Sequence, residues 1–190
     1  MAVLVIGLVI FLGTHSIPIV SPEFRDRAMQ RLGKGGWRGF YGLMSLVGFV
    51  LMLYGFGLAR AAPVLVYTPP SWMRNATFLL MLPVFPLLIA AYLPGRIKSA
   101  TQHPMLAAVK FWAFAHLLAN GGLADVLLFG GFLAWAVADR ISLKRRPPQK
   151  LPAAPAGRFN DLIAVVVGLA AYALTIGWAH LRLFGVSPLG

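Results

Sequence analysis

The sequence predicts an all-α fold: a polytopic membrane helix bundle of about six transmembrane helices, or five if the first apolar run only lies in the interface. Three observations predict it. Of 190 residues, 59% are hydrophobic and only 12% are charged, and the mean hydropathy is +0.77. A water-soluble domain of that composition has too little polar side chain to cover its surface. The apolar residues fall into runs about as long as a bilayer crossing, separated by connections rich in Pro, Gly and Arg. Finally, the net charge of +12, from 17 Lys and Arg against 5 Asp and Glu, is concentrated in alternate connections.

The first run is Met1 to about Val20, MAVLVIGLVIFLGTHSIPIV. No Lys or Arg precedes it and no small-residue cleavage site follows, so it reads as a retained helix and not a signal peptide. Thr14, His15 and Ser16 interrupt its apolar face, and Pro18 and Pro22 bend or end it. Glu23 to Arg38 is polar and basic, with room for a short interfacial helix before Gly33, Gly35 and Gly36 break it. The second span runs from about Trp37 to Leu58, anchored at the boundary by Trp37, Phe40 and Tyr41. Gly42, Ser45, Gly48 and Gly55 supply small positions for close helix packing.

Arg60 to Arg74 is a proline-containing turn region, and the third span runs from about Ser71 to Leu93 with kinks expected at Pro83 and Pro86. Such kinks persist in lipid where neighbours satisfy the freed carbonyls or where a cavity opens. The fourth span, about Pro104 to Asn120, is short for a crossing. Asn120-Gly121-Gly122 is a helix stop and tight reversal. The fifth span covers Leu123 to Ala138. A basic, proline-rich loop of about residues 139–160 follows, with some extended character. The sixth span runs from about Leu162 to Trp178.

The first, third and fifth connections carry five, two and six basic residues. The opposite side carries Arg60, Arg74 and Arg182, and Lys110 lies inside a span. This asymmetry predicts a multi-pass protein of the inner (plasma) membrane with cytoplasmic basic loops and both termini periplasmic. It also argues against nucleic acid as a partner, since no folded basic surface is left once the helices lie in the lipid bilayer.

With no cysteine, disulfides, thiolate catalysis, cysteine-ligated zinc and iron–sulfur clusters are excluded. The five carboxylates, Glu23, Asp26, Asp125, Asp139 and Asp161, form no paired-carboxylate pattern. Chemistry therefore concentrates on histidine. His15, His103 and His116 lie in or beside spans, where ionisable groups are expensive. His103 and His116 are about 140° apart around a straight helix and about 20 Å apart along it, which argues against one shared metal ion. His103 shares a face with Lys110, which either snorkels, is neutralised, or pairs with an acidic group such as a cofactor carboxylate. Trp112, His116 and Asn120 form a second face. It is the side of a planar cofactor pocket or a polar seam between helices. Asp125 reads as a carboxylate stabilising a helix N-terminus. No residue is singled out as catalytic. A bis-histidine haem fits this inventory, and without cysteine it would be haem b.

The GTH at Gly13 to His15, the HPM at His103 to Met105 and the run WAFAHLLANGGLADVLLFGGFLAW from Trp112 to Trp135 resemble the NnrU family. The resemblance covers nearly the whole chain and implies a single NnrU-like transmembrane domain, residues 1–190. The family is similar to 15-cis-zeta-carotene isomerase, a haem b membrane enzyme with histidine axial ligands. Its bacterial members are linked to denitrification and nitric oxide metabolism. The resemblance implies His15 and His116 as axial ligands to haem iron, with His103 as an alternative. Trp112, Asn120 and Lys110 would surround the cofactor. It further implies redox-dependent isomerisation or sensing, with an apolar or small-gas ligand and redox or denitrification partner proteins. If the chain is an enzyme, it would be a haem-dependent isomerase resembling zeta-carotene isomerase. The alternative is a non-enzymatic membrane assembly factor or transporter for denitrification components. Where the family often has an acidic residue after the Asn-Gly turn, this chain has Gly122, with Asp125 three residues later.

Overall fold

The structure, a computed structural model, describes residues 1–146 and 153–190. Most of these residues are helical, and the β-pairing among them is an isolated bridge between Leu65 and Gly122. The helices are α1 (Ala2–Val20), α2 (Pro22–Ala61), α3 (Met73–Met81), α4 (Val84–Ala90), α5 (Arg96–Thr101), α6 (Pro104–Ala119), α7 (Leu123–Leu143), α8 (Asn160–Leu174) and α9 (His180–Phe184), with a π-helical turn, Thr175–Ala179, before the last. Helix is the form that satisfies every backbone N–H and C=O within one apolar segment. Among the described residues, five stretches are long and apolar enough to cross a membrane: Ala2–Val20, Pro22–Ala61, Met73–Ala90, Leu123–Leu143 and Asn160–Phe184. The fourth expected span is the shorter apolar helix α6, 16 residues long and so about 24 Å. Leu46, Val50 and Leu53 on α2 and Leu162, Val166 and Leu169 on α8 point outward. Such apolar surface is stable when lipid covers it.

Contacts divide the chain into two units, Met1–Pro69 with Ala119–Arg146, and Pro70–Leu118 with the described part of Pro147–Gly190. In the first unit, α1, α2 and α7 pack together. The antiparallel α1–α2 contact is set by glycine. A Cβ on Gly55 would come within 2.6 Å of Leu4 Cα, one on Gly48 within 2.6 Å of Phe11 N, and one on Gly7 within 2.7 Å of Met52 Cα. Backbones that close gain dispersion along the whole seam, which lipid does not supply. Gly42, by contrast, has no neighbour within 4 Å of its Cβ position.

In the second unit, α8 packs against α4, where Gly168 admits the Pro86 backbone. Val84, Leu87 and Ala108 form a core with Met81, Ile97 and Trp112 packed on it. Of the two expected proline kinks, the one at Pro83 separates α3 from α4, whereas Pro86 sits in the first turn of α4, where proline is tolerated. Beside Pro83, Leu82 N bonds to Leu79 O, so the Phe78 carbonyl loses its helical donor. Tyr172 Oη donates to that carbonyl at 3.0 Å. Tyr172→Phe keeps the ring and removes the donor, so it should cost about 1–3 kcal/mol. Thermal unfolding in detergent measures this, and an unchanged midpoint would mean the kink is satisfied in another way.

Several boundaries differ from the sequence-based expectation. The polar stretch before the second span is helical and breaks at Gly33, φ 71°, as expected, whereas Gly35 and Gly36 are helical and lead straight into the span. Phe24 then reaches the buried Trp37 ring, 6.5 Å between centroids, and this contact joins the two segments. Pro18 lies inside α1, and Pro22 opens α2 as a first-turn residue. The fifth span continues to Leu143 because Asp139 and Arg146 pair over its end. The basic loop therefore starts later than expected. Residues 147–152 of it lie outside the described residues, and 153–157 have no regular structure.

Candidate functional site

The chemistry-bearing residues are divided between the two units. In the first, Thr14, His15 and Ser16 all bond back to the carbonyl four residues earlier. Thr14 Oγ1 donates to Ile10 O, His15 Nδ1 lies on Phe11 O and Ser16 Oγ donates to Leu12 O, each at 2.7 Å. Back-bonding is how a helix carries polar side chains through an apolar setting. A carbonyl only accepts, so the His15 bond places the proton on Nδ1 and the lone pair on Nε2. The imidazole stacks on Phe11 at 4.2 Å and meets the edges of Tyr41 at 5.3 Å and Trp135 at 6.0 Å. Residues of α1, α2 and α7 thus set aromatic rings around one oriented imidazole.

Three side-chain donors of this unit are buried without a partner among the described residues, Trp135 Nε1, Ser45 Oγ and, just past the end of α7, Arg146 Nε. Ser45 is one helical turn from Tyr41, and the α1–α2 register set by Leu4/Gly55 and Phe11/Gly48 places it level with Thr14. Buried donors without acceptors are costly, about 1–3 kcal/mol each. They are the groups that an acceptor-bearing ligand would satisfy. Sequence reading placed Trp135 only within a motif and Ser45 only as a packing residue; both become notable through their neighbours.

On the other side of this unit, the Asn120–Leu123 turn is clasped by the segment before α3. Val66 N donates to Gly121 O at 2.8 Å, Leu123 N to Val64 O at 2.7 Å, and Tyr67 Oη to Asn120 O at 2.9 Å. A Cβ at Gly121 would fall on the Tyr67 carbonyl oxygen. Burial and then the Asp125 carboxylate push the Tyr67 phenol above its ordinary value, so it stays a donor at neutral pH. Asp125 sits in the first turn of α7, its carboxylate turned towards Gly122, as a group that stabilises a helix N-terminus does. Asn120 is the first residue past the end of α6.

The second unit holds His103, Lys110, Trp112, His116 and His180. His103 stands just before α6, its carbonyl accepting from Ala107 N at 3.1 Å. Lys110 is half-buried on α6. His116 Nδ1 lies 2.8 Å from Trp112 O, and the two rings are 5.4 Å apart. The tautomer is therefore that of His15, with Nε2 as the basic nitrogen. His180 repeats the arrangement, Nδ1 lying 2.7 Å from Val186 O. It is within electrostatic reach of His116. The π-helical turn Thr175–Ala179 immediately precedes His180 and changes the helical register there. In sequence, His180 reads only as the end of the last span, and no local signal announces the π-turn. Among the described residues, no three His, Asp or Glu side chains gather as a metal-ion site.

His15 and His116 could each, within its own unit, offer a nitrogen to a haem iron. Iron takes an imidazole nitrogen whose ring partner is tied to a carbonyl, which fixes tautomer and orientation and raises basicity. His15 and His116 each meet that requirement within their own unit. Residues 3–188 match the protein family described as NnrU protein. No curated protein and no solved structure matches the chain.

Proposed function

The chain belongs to the NnrU protein family, and on that premise we propose that it is a haem b-binding protein of the inner membrane serving denitrification or nitric oxide metabolism, by redox-dependent isomerisation or by sensing. The basic loops face the cytoplasm and the termini the periplasm in this reading. The observation that carries it is the His15 box: an imidazole with Nδ1 tied to Phe11 O, leaving Nε2 for a ligand, and flanked by Phe11, Tyr41 and Trp135. Haem, when bound, supplies a redox-active iron whose properties the ligand and its surroundings tune. His15 is the ligand supplied by the first unit. In the second unit, His116 is the ligand candidate and His103 the alternative, each argued from its own surroundings. Phe11, Tyr41 and Trp135 keep water from the imidazole, and the Phe11 carbonyl holds its proton at Nδ1. The unpartnered Trp135 N–H and Ser45 O–H offer hydrogen bonds to an acceptor on the bound group. An apolar substrate would reach such a site laterally from the bilayer, and a small gas by diffusion through it.

The test is the visible spectrum of protein purified in mild detergent, oxidised and reduced, with His15→Ala, His116→Ala, His103→Ala and His180→Ala alongside. Wild type is expected to show a low-spin haem b Soret band. His15→Ala and His116→Ala should each lose most of the haem or shift it to high spin, while His103→Ala keeps it. Equal loss in His180→Ala would assign the second ligand's support to the His116–His180 pair. Wild type without haem, even after reconstitution, would sink the proposal and leave a non-enzymatic assembly factor or transporter.

A further inference from the structure

An open groove of about 770 Å³ lies in the second unit, where the start of α5 meets the segment entering α8; Pro94, Gly95, Arg96, Arg158 and Asp161 line it. Its size falls within the range of small-molecule sites, roughly 300–1,000 Å³. The charges around it are unbalanced. Both Asp161 carboxylate oxygens are engaged by backbone, accepting from Arg96 N at 2.8 Å and Ile97 N at 3.0 Å. Neither Arg96 nor Arg158 makes an ion pair among the described residues, where the ion pair present is Asp139–Arg146. The neighbouring sequence from Pro147 to Pro152 contains Lys150 and no acidic residue. Arg96 and Arg158 thus line one groove with a single carboxylate whose hydrogen bonds go to backbone amides, which leaves the lining net positive. The Arg158 guanidinium is also held in place, 4.4 Å over the Phe159 ring.

Apolar side chains lie within two residues of the lining in the chain. Tyr92, Phe159 and Leu162 are each more than half exposed, at 54%, 51% and 59%, where the span Asn160–Phe184 begins. A soluble anion has no use for that surface, whereas an acyl chain does. Guanidinium is the side chain best matched to a phosphate diester, offering paired N–H donors. Basic pockets between transmembrane helices at a membrane surface take anionic lipid headgroups on these grounds. We infer that this groove is a binding site for an anionic phospholipid, its phosphate between Arg96 and Arg158 and an acyl chain lying along α8 past Phe159 and Leu162. The site is independent of any haem.

Native mass spectrometry of the purified full chain with added phosphatidylglycerol or phosphatidylcholine tests it. Wild type should retain phosphatidylglycerol about tenfold or more over phosphatidylcholine, the scale of two arginines near an anionic surface. Arg96→Gln/Arg158→Gln should bring that preference to within about twofold, with an unchanged thermal midpoint. Arg25→Gln/Arg27→Gln removes the same charge from the polar start of α2 and should leave the preference intact. A wild type without preference, or equal loss in both double variants, would overturn the site. Displacement of the lipid by millimolar inorganic phosphate would also overturn it, by assigning the groove to a soluble anion.

Discussion

Gly55→Val is expected to destabilise the protein by at least about 3 kcal/mol, while Gly57→Val on the same helix should change stability by less than about 1 kcal/mol. Both substitutions improve helix propensity equally, so propensity cancels in the comparison. The difference is what the new side chain meets. At Gly55 a Cβ would lie 2.6 Å from Leu4 Cα and 2.7 Å from the Val3 carbonyl carbon, whereas at Gly57 nothing lies within 4 Å. The obstacle is backbone, which cannot swing aside as a side chain would. Relief requires α1 to move off α2, and the same seam carries Gly48 against Phe11 and Gly7 against Met52. By size scaling the loss corresponds to about 6–12 °C in the unfolding midpoint. Thermal unfolding in detergent, read by size exclusion, reports it. Equal midpoints for the two variants would mean that the seam is not glycine-limited.

The second large effect concerns Asp161. Removing its carboxylate leaves the Arg96 and Ile97 amides without their acceptor and should cost about 2 kcal/mol. The carboxylate belongs to the first turn of α8, yet it caps α5 more than sixty residues earlier in the chain. Asn160 beside it is buried and donates to Pro94 O at 2.8 Å and Pro155 O at 3.1 Å, so two adjacent residues fasten the turn before α5. Hydrogen exchange at the Arg96 and Ile97 amides is the direct reading. Asp161→Ala should speed it by about thirtyfold, the equivalent of that free energy. Asp161→Asn keeps one acceptor oxygen and should fall between. Unchanged exchange in Asp161→Ala would show that the cap is redundant. Gly95 belongs to the same fastening, since a Cβ there would collide with the Asp161 carboxylate.

Much of the helical layout was legible locally. An apolar run in lipid has no solvent for its backbone groups, so run length and the punctuation of Pro83, Gly33 and Asn120-Gly121-Gly122 largely decide where helices lie and stop. His15, His103, Lys110 and His116 stood out for the same reason, as polar groups where polarity is expensive. The boundaries missed were those set by side-chain pairing across more than one helical turn. Asp139 with Arg146 carries α7 past Ala138, and Phe24 on Trp37 ties the amphipathic start of α2 to its span. Of the small residues read as packing positions, Gly48 and Gly55 meet α1 and Gly42 meets nothing. Spacing along one helix cannot distinguish these, because the partner's register selects among them.

By itself, then, the sequence determined a membrane helix bundle, its turns, its lopsided charge and the few polar groups worth watching, since those follow from hydropathy and backbone hydrogen bonding within a short window. Only the tertiary structure decided which groups meet. It brought Tyr172 to the carbonyl freed beside Pro83, Asp161 to the start of α5, Trp135 and Tyr41 to His15, and His180 to the neighbourhood of His116. Each of these joins elements far apart in the chain, and a side chain's partner depends on the register and close approach of whole helices, which no local pattern encodes.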